Sequence, residues 1–123
     1  MIFIDTHVVI WLYQKTLELL PSKSKEAIEK NDVYISPIVS LEIEYLHEIG
    51  KITKNSKTII KYLQEKIGLK IDDAGFEEVI ASALSEKWTR DPFDRIITAH
   101  ARRRNAFLIT RDENIRKNYK KSI

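Results

Sequence analysis

The sequence predicts an α/β fold with a short, mostly parallel sheet flanked by helices, and three features carry that prediction. Short apolar runs alternate with helical segments along the 123 residues. Each run is only about three residues long and rich in Ile, Val, Phe and Tyr, as suits strands buried on both faces. Acidic or hydroxyl residues follow the first, second and fourth runs, at the carboxyl ends of the strands, where open parallel sheets bind ligands.

The elements follow in order. Ile2-Phe3-Ile4 opens the chain as the first strand, with a helix over 6–13. A helix near 22–30 leads to a second strand at Val33-Tyr34-Ile35. Ser36-Pro37 then starts a helix over 37–49, because Pro suits a first helical position. Ile59, Ile60, Leu63 and Ile67 form an apolar stripe on a helix over 56–67. Leu69-Lys70-Ile71 is a third, weaker strand, followed by a helix over 73–85. Asp91-Pro92-Phe93-Asp94 reads as N-cap, Pro and early acid, opening a helix over 92–105. Phe107-Leu108-Ile109 is the fourth strand, and a helix over 112–119 closes the chain. No linker, repeat or second domain interrupts this pattern, so residues 1–123 are expected to form one domain.

Composition excludes several classes. Apolar residues make up 43% of the chain, too many for a disordered segment. There is no Cys, so disulfide scaffolds, thiol nucleophiles and Cys-ligated zinc are out. No apolar run approaches the ~18 residues of a membrane span, and Met1-Ile2-Phe3-Ile4-Asp5 is not a signal peptide. A cytoplasmic protein without membrane contact is the expectation. Charge is uneven. Residues 1–85 carry 10 Lys, no Arg and 13 acidic residues, whereas 86–123 carry 11 basic and 5 acidic residues, including every Arg of the chain. Arg forks suit phosphate oxygens, so this third of the chain hints at a polyanion; a solvated basic surface is the plain alternative.

Each acidic residue has a structural explanation to set beside a chemical one. Asp5, Asp91 and Asp112 stand where an Asp caps a helix, and Thr110 with Glu113 has capping-box spacing. Glu42 has no cap position. On a helix with Ile38 at zero, the apolar side chains of 38–49 average to about 35°, and Glu42 lies at about 40°, inside their stripe. Glu44 and Glu48 fall on the polar side. A carboxylate on a buried face pairs with a cation or is protonated. The alternatives are a buried salt bridge or a cation site at the edge of the core. Asp94 sits beside the apolar face of Phe93, Ile96, Ile97 and Ala101, able to look into a pocket. The topology therefore gathers Asp5, Glu42, Asp94 and Asp112 at one sheet edge, and their hard oxygens suit Mg²⁺ or Mn²⁺.

Four stretches resemble the PIN-domain ribonucleases, and among them the VapC-type toxins of toxin–antitoxin pairs. They are Ile4-Asp5-Thr6-His7 with Trp11, Ile35-Ser36-Pro37 leading to Ser40-Leu41-Glu42-Ile43, Arg90-Asp91-Pro92-Phe93-Asp94-Arg95-Ile96-Ile97, and Leu108-Ile109-Thr110-Arg111-Asp112. The third is the most specific; residues 50–85 carry no family signature. The resemblance implies a PIN-like domain and an endoribonuclease using a divalent metal, with Asp5, Glu42, Asp94 and Asp112 as the acidic quartet. It implies an RNA substrate, a cognate antitoxin and a homodimer. It also implies support of the metal site by Thr110, with Asp91 and Arg95 belonging to the motif in roles less defined. In such a scheme Asp5 and Asp94 ligate the metal directly, Asp112 directly or through water, and Glu42 orients or deprotonates water. Thr6 supports the same edge. Arg95 and Arg111 are expected to hold flanking phosphates, the alternative being surface ion pairs.

Other readings are weaker. His7, His47 and His100 show no zinc-ligand spacing, and His100 falls on an apolar face, as a core histidine does. No Gly-rich loop precedes a helix, and no serine has nucleophile-elbow glycines. Packing or partner contact accounts for Trp11 and Tyr13 better than base stacking. A receiver-type phosphoacceptor domain lacks its paired acids and Lys here. A catalytically silent PIN-fold binding partner is the stronger rival, and metal binding separates it from a nuclease.

Overall fold

Burial explains the strands. Ile2, Phe3, Ile4, Val33 and Ile35 are all enclosed, so their backbone groups must pair with one another. The computed structural model describes residues 1–123, with strands Ile2–Ile4 (β1), Val33–Ile35 (β2), Lys70–Ile71 (β3) and Phe107–Ile109 (β4). They form one parallel sheet in the order β3-β2-β1-β4, with Ile2 opposite both Val33 and Phe107. β1 and β2 lie inside; β3 and β4 are edges. The β4 edge is covered by the last residues of the chain: Lys121 accepts from Leu108 N, and Ile123 N donates back to Leu108 O.

Seven helices surround the sheet: Thr6–Gln14 (α1), Ser22–Lys30 (α2), Pro37–Glu48 (α3), Ser56–Ile67 (α4), Phe76–Ala83 (α5), Pro92–Arg103 (α6) and Glu113–Asn118 (α7). The core joins Val8 and Val9 of α1, Ile43 of α3, Leu63 of α4 and Ile97 of α6 to the strands. Asn55 caps α4, and Gly68 ends it at φ +68, a conformation open to Gly without strain. No helix is long and apolar enough to cross a membrane.

Every expected strand and helix is present, with differences at the ends. The helix expected over 73–85 spans only Phe76–Ala83. Asp72, just before the expected start, is bound to His100 and Arg104, and Gly75 takes the N-cap position. A 3-10 turn at Leu17–Leu19 was not anticipated; Lys15, at φ 60, ends α1 just before it. The helix expected to 105 stops at Arg103, where Asn105 turns left-handed and returns the chain to Ala106. The Thr110–Glu113 capping box does not form. Asp112 caps α7 through Ile115 N, and Thr110 Oγ1 accepts from Asp112 N.

Candidate active site

The carboxyl ends of β1 and β4 and the first turns of α1, α3, α6 and α7 meet above one sheet edge. They enclose a cavity of about 310 Å³ lined by Asp5, His7, Trp11, Glu42, Asp91, Asp94, Arg111 and Asp112. The acidic quartet, spread over more than 100 residues of sequence, thus shares a single wall. The parallel topology is the reason: each strand delivers its following residue to the same side.

The residues differ in how firmly they are held. Asp5 is 5% exposed. Its Oδ1 accepts from Thr6 N at 2.7 Å and its Oδ2 from Thr110 Oγ1 at 2.6 Å. Thr110 therefore locks Asp5 and, through its hydroxyl, the backbone N–H of Asp112. Glu42 is half-buried, and its Oε1 accepts a short hydrogen bond from the buried Thr6 hydroxyl. Asp112 Oδ1 accepts from Ile115 N at 2.8 Å, leaving Oδ2 without a partner in the chain. Asp91 Oδ1 accepts from Phe93 N and Asp94 N, so it caps α6 while lining the cavity. Asp94, half-buried in the first turn of α6, makes no side-chain hydrogen bond. Capping and cavity-lining are compatible here, because a cap occupies only one carboxylate oxygen.

None of the quartet forms a salt bridge. The buried ion pair considered for Glu42 does not exist. Burial pushes the Asp94 carboxyl up to about 7, with the charges of Asp91, Asp112, Asp5 and Glu42 adding to the shift. Burial also raises Asp5 and Glu42, against hydrogen bonds from Thr110 and Thr6 that favour the ionised form. The wall thus carries more negative charge than it can keep without a counter-ion.

The sequence matches the PIN domain family over residues 2–121. The chain belongs to the PIN domain family. Among solved structures, this PIN domain is similar to VapBC2 from Rickettsia felis bound to a DNA fragment from its promoter. The TM-score is 0.60 and identity 21%, covering 95% of this chain and 92% of the other. It is similar to a toxin–antitoxin complex from Klebsiella pneumoniae at a TM-score of 0.63 and 17% identity, covering 100% and 96%. No curated protein matches it by sequence.

The donor chemistry of this PIN domain fits a hard divalent cation: carboxylate oxygens without salt-bridge partners line one cavity. No three acidic or His side chains are drawn together as a ready-made ligand cluster; mutual repulsion opposes closer approach until a cation neutralises it.

One expectation from sequence is corrected. Arg95 does not face the cavity. Its guanidinium donates to Ala83 O and Leu84 O at the end of α5, at 3.1–3.2 Å, so it ties α5 to α6. Part of the Arg-rich third is engaged by acids of the chain. Arg102 pairs with Glu86, Arg103 with Glu78, and Arg104 with Asp72 and Asp73. Arg111 does line the cavity, though one nitrogen donates to Leu19 O at 2.7 Å. His100 is a core residue as expected. It is 1% exposed, with Nδ1 2.8 Å from Ser36 Oγ and Nε2 2.6 Å from Asp72 Oδ2.

Proposed function

We propose that this chain is a VapC-type endoribonuclease, the toxin of a toxin–antitoxin pair, acting in the cytoplasm with Mg²⁺ or Mn²⁺. One observation carries the reading: four carboxylates distant in sequence line one cavity of a PIN fold, and none of them forms a salt bridge. Asp5, Asp94 and Asp112 would hold the cation, and Glu42 would do so through water. When bound, such an ion supplies a nucleophilic water near neutral pH and relieves charge on the phosphoryl oxygens.

The chain's own groups do the rest. Thr110 and Thr6 fix the Asp5 and Glu42 carboxylates. Glu42 Oε2 has no partner in the chain, so it is free to orient the attacking water and accept its proton. Asp91 holds the first turn of α6 and so aims Asp94. The unengaged nitrogens of Arg111 would take a flanking phosphate. Leu41, Tyr45, Phe76 and Leu84 remain exposed, and this apolar surface supports a protein partner, an antitoxin or a second copy of the chain. The two solved relatives being toxin–antitoxin assemblies favours the antitoxin.

The test is incubation of the purified chain with total RNA and Mg²⁺, followed by mapping of new 5′ ends. Cleavage that stops in EDTA and in Asp94→Asn supports the reading. Cleavage surviving either treatment would falsify the mechanism. Metal binding without any cleavage would favour the silent-partner alternative.

A further inference from the structure

We infer that Trp11 and His7 form a stacking platform for one unpaired nucleobase beside the scissile phosphate, making them substrate-positioning residues. The inference rests on the ribonuclease reading and goes beyond it by naming two side chains outside the acidic quartet that position the substrate.

The geometry points this way. Both rings line the same cavity as the acidic quartet and Arg111. They stand one helical turn apart on α1, with ring centroids 6.2 Å apart and planes inclined by 50°. Trp11 is half-buried: one part packs on the core, and it is the one hydrophobic residue of the cavity wall. His7 is exposed although its helix neighbours Thr6, Val8 and Val9 are enclosed. Neither the indole N–H nor either imidazole nitrogen has a hydrogen-bond partner in the chain. Packing alone explains the buried part of Trp11. It does not explain an aromatic pair turned toward an acidic cavity.

Chemistry narrows the occupant. A phosphodiester entering this cavity brings its nucleotide's base within a few ångströms of the reacting phosphate. Aromatic side chains are the usual surface for an unstacked base, because every base presents a π-face. A base inside a duplex is already stacked and cannot reach across to the platform. The free indole and imidazole nitrogens add hydrogen-bonding groups at the rim, giving the site a means of preferring one base over another.

The experiment uses an RNA of roughly 12 nucleotides spanning a mapped cut site, and two versions carrying an abasic residue on one or the other side of that bond. Steady-state cleavage is compared for wild type, Trp11→Phe, Trp11→Ala and His7→Ala. The expected result is a KM raised about ten- to hundredfold in Trp11→Ala, with substantial rescue by Trp11→Phe. His7→Ala should show a smaller rise. One abasic RNA should erase the difference between wild type and Trp11→Ala. If Trp11→Ala does not fold, binding is read in Asp94→Asn/Trp88→Phe, where Trp11 is the sole indole. The intact RNA should quench its fluorescence, and the matching abasic RNA should not. Normal cleavage with equal KM in all variants, or binding without quenching, overturns this inference and leaves the nuclease reading intact. Absence of any cut site overturns both.

Discussion

Glu42 shows how one side chain can be wrong for its helix and right for its site. It interrupts the apolar stripe of α3, finds no basic partner, and takes a hydrogen bond only from the buried Thr6 hydroxyl. Glu42→Leu should abolish cleavage and change stability little. Removing a partly desolvated carboxylate helps, but it leaves the Thr6 hydroxyl unsatisfied at a cost of about 1–3 kcal/mol. Thr6→Val/Glu42→Leu removes both partners and should unfold at a higher temperature than Glu42→Leu alone. Thermal melting of the two variants checks this. A double variant less stable than the single one would mean that Thr6 has another role.

At the scale of the element, helix starts are where the site is built. Asp5, Asp91 and Asp112 each spend one oxygen on the backbone of α1, α6 or α7 while lining the cavity. The two roles separate by substitution. Asn caps nearly as well as Asp. Asp112→Asn should therefore keep the melting temperature of wild type and lose cleavage. Asp112→Ala should lose cleavage and about 1 kcal/mol of stability as well. Equal destabilisation by both would show that charge, not the cap, matters at this helix start. α5 depends on a different device: the Arg95 guanidinium covers its last carbonyls.

For the whole molecule, two groups of carboxylates give opposite pH dependences. Asp72 is buried, which alone would raise it, but hydrogen bonds from Arg104 and His100 hold it below its ordinary 3.8. Its contribution is present above the ordinary carboxylate range and is lost as pH falls through its lowered value. Asp94 has the reverse sign. Between its ordinary 3.8 and about 7 the folded chain binds the extra proton, so stability falls as pH rises through that window. Asp5 and Glu42 add in the same direction. The melting temperature of the metal-free protein should therefore fall between about pH 4 and pH 7. Millimolar Mg²⁺ should restore it at the upper end, because a cation binds the ionised carboxylates of the folded state. Asp94→Asn should show a flatter profile without metal and less response to Mg²⁺. A wild-type profile that rises across this window would contradict the unneutralised cluster.

The sequence by itself determined the four strands and the seven helices, because short range decides these things, and it offered the candidate quartet through the expected topology and the family resemblance. Apolar runs, Pro at helix starts and the misplaced Glu42 are visible within a few residues. It also marked His100 as a core residue from its helix face alone. Only tertiary structure decided what each charged group meets. Arg95, in the same motif as Asp91 and Asp94, turned to the carbonyls of α5, and Arg102, Arg103 and Arg104 found acids 16 to 32 residues away. Asp72, just ahead of the helix expected from residue 73, likewise met a buried imidazole and a guanidinium that no local pattern announces. The direction of a long, flexible side chain is set by whichever counter-charge or unsatisfied carbonyl the fold brings within reach, and no local spacing encodes that encounter.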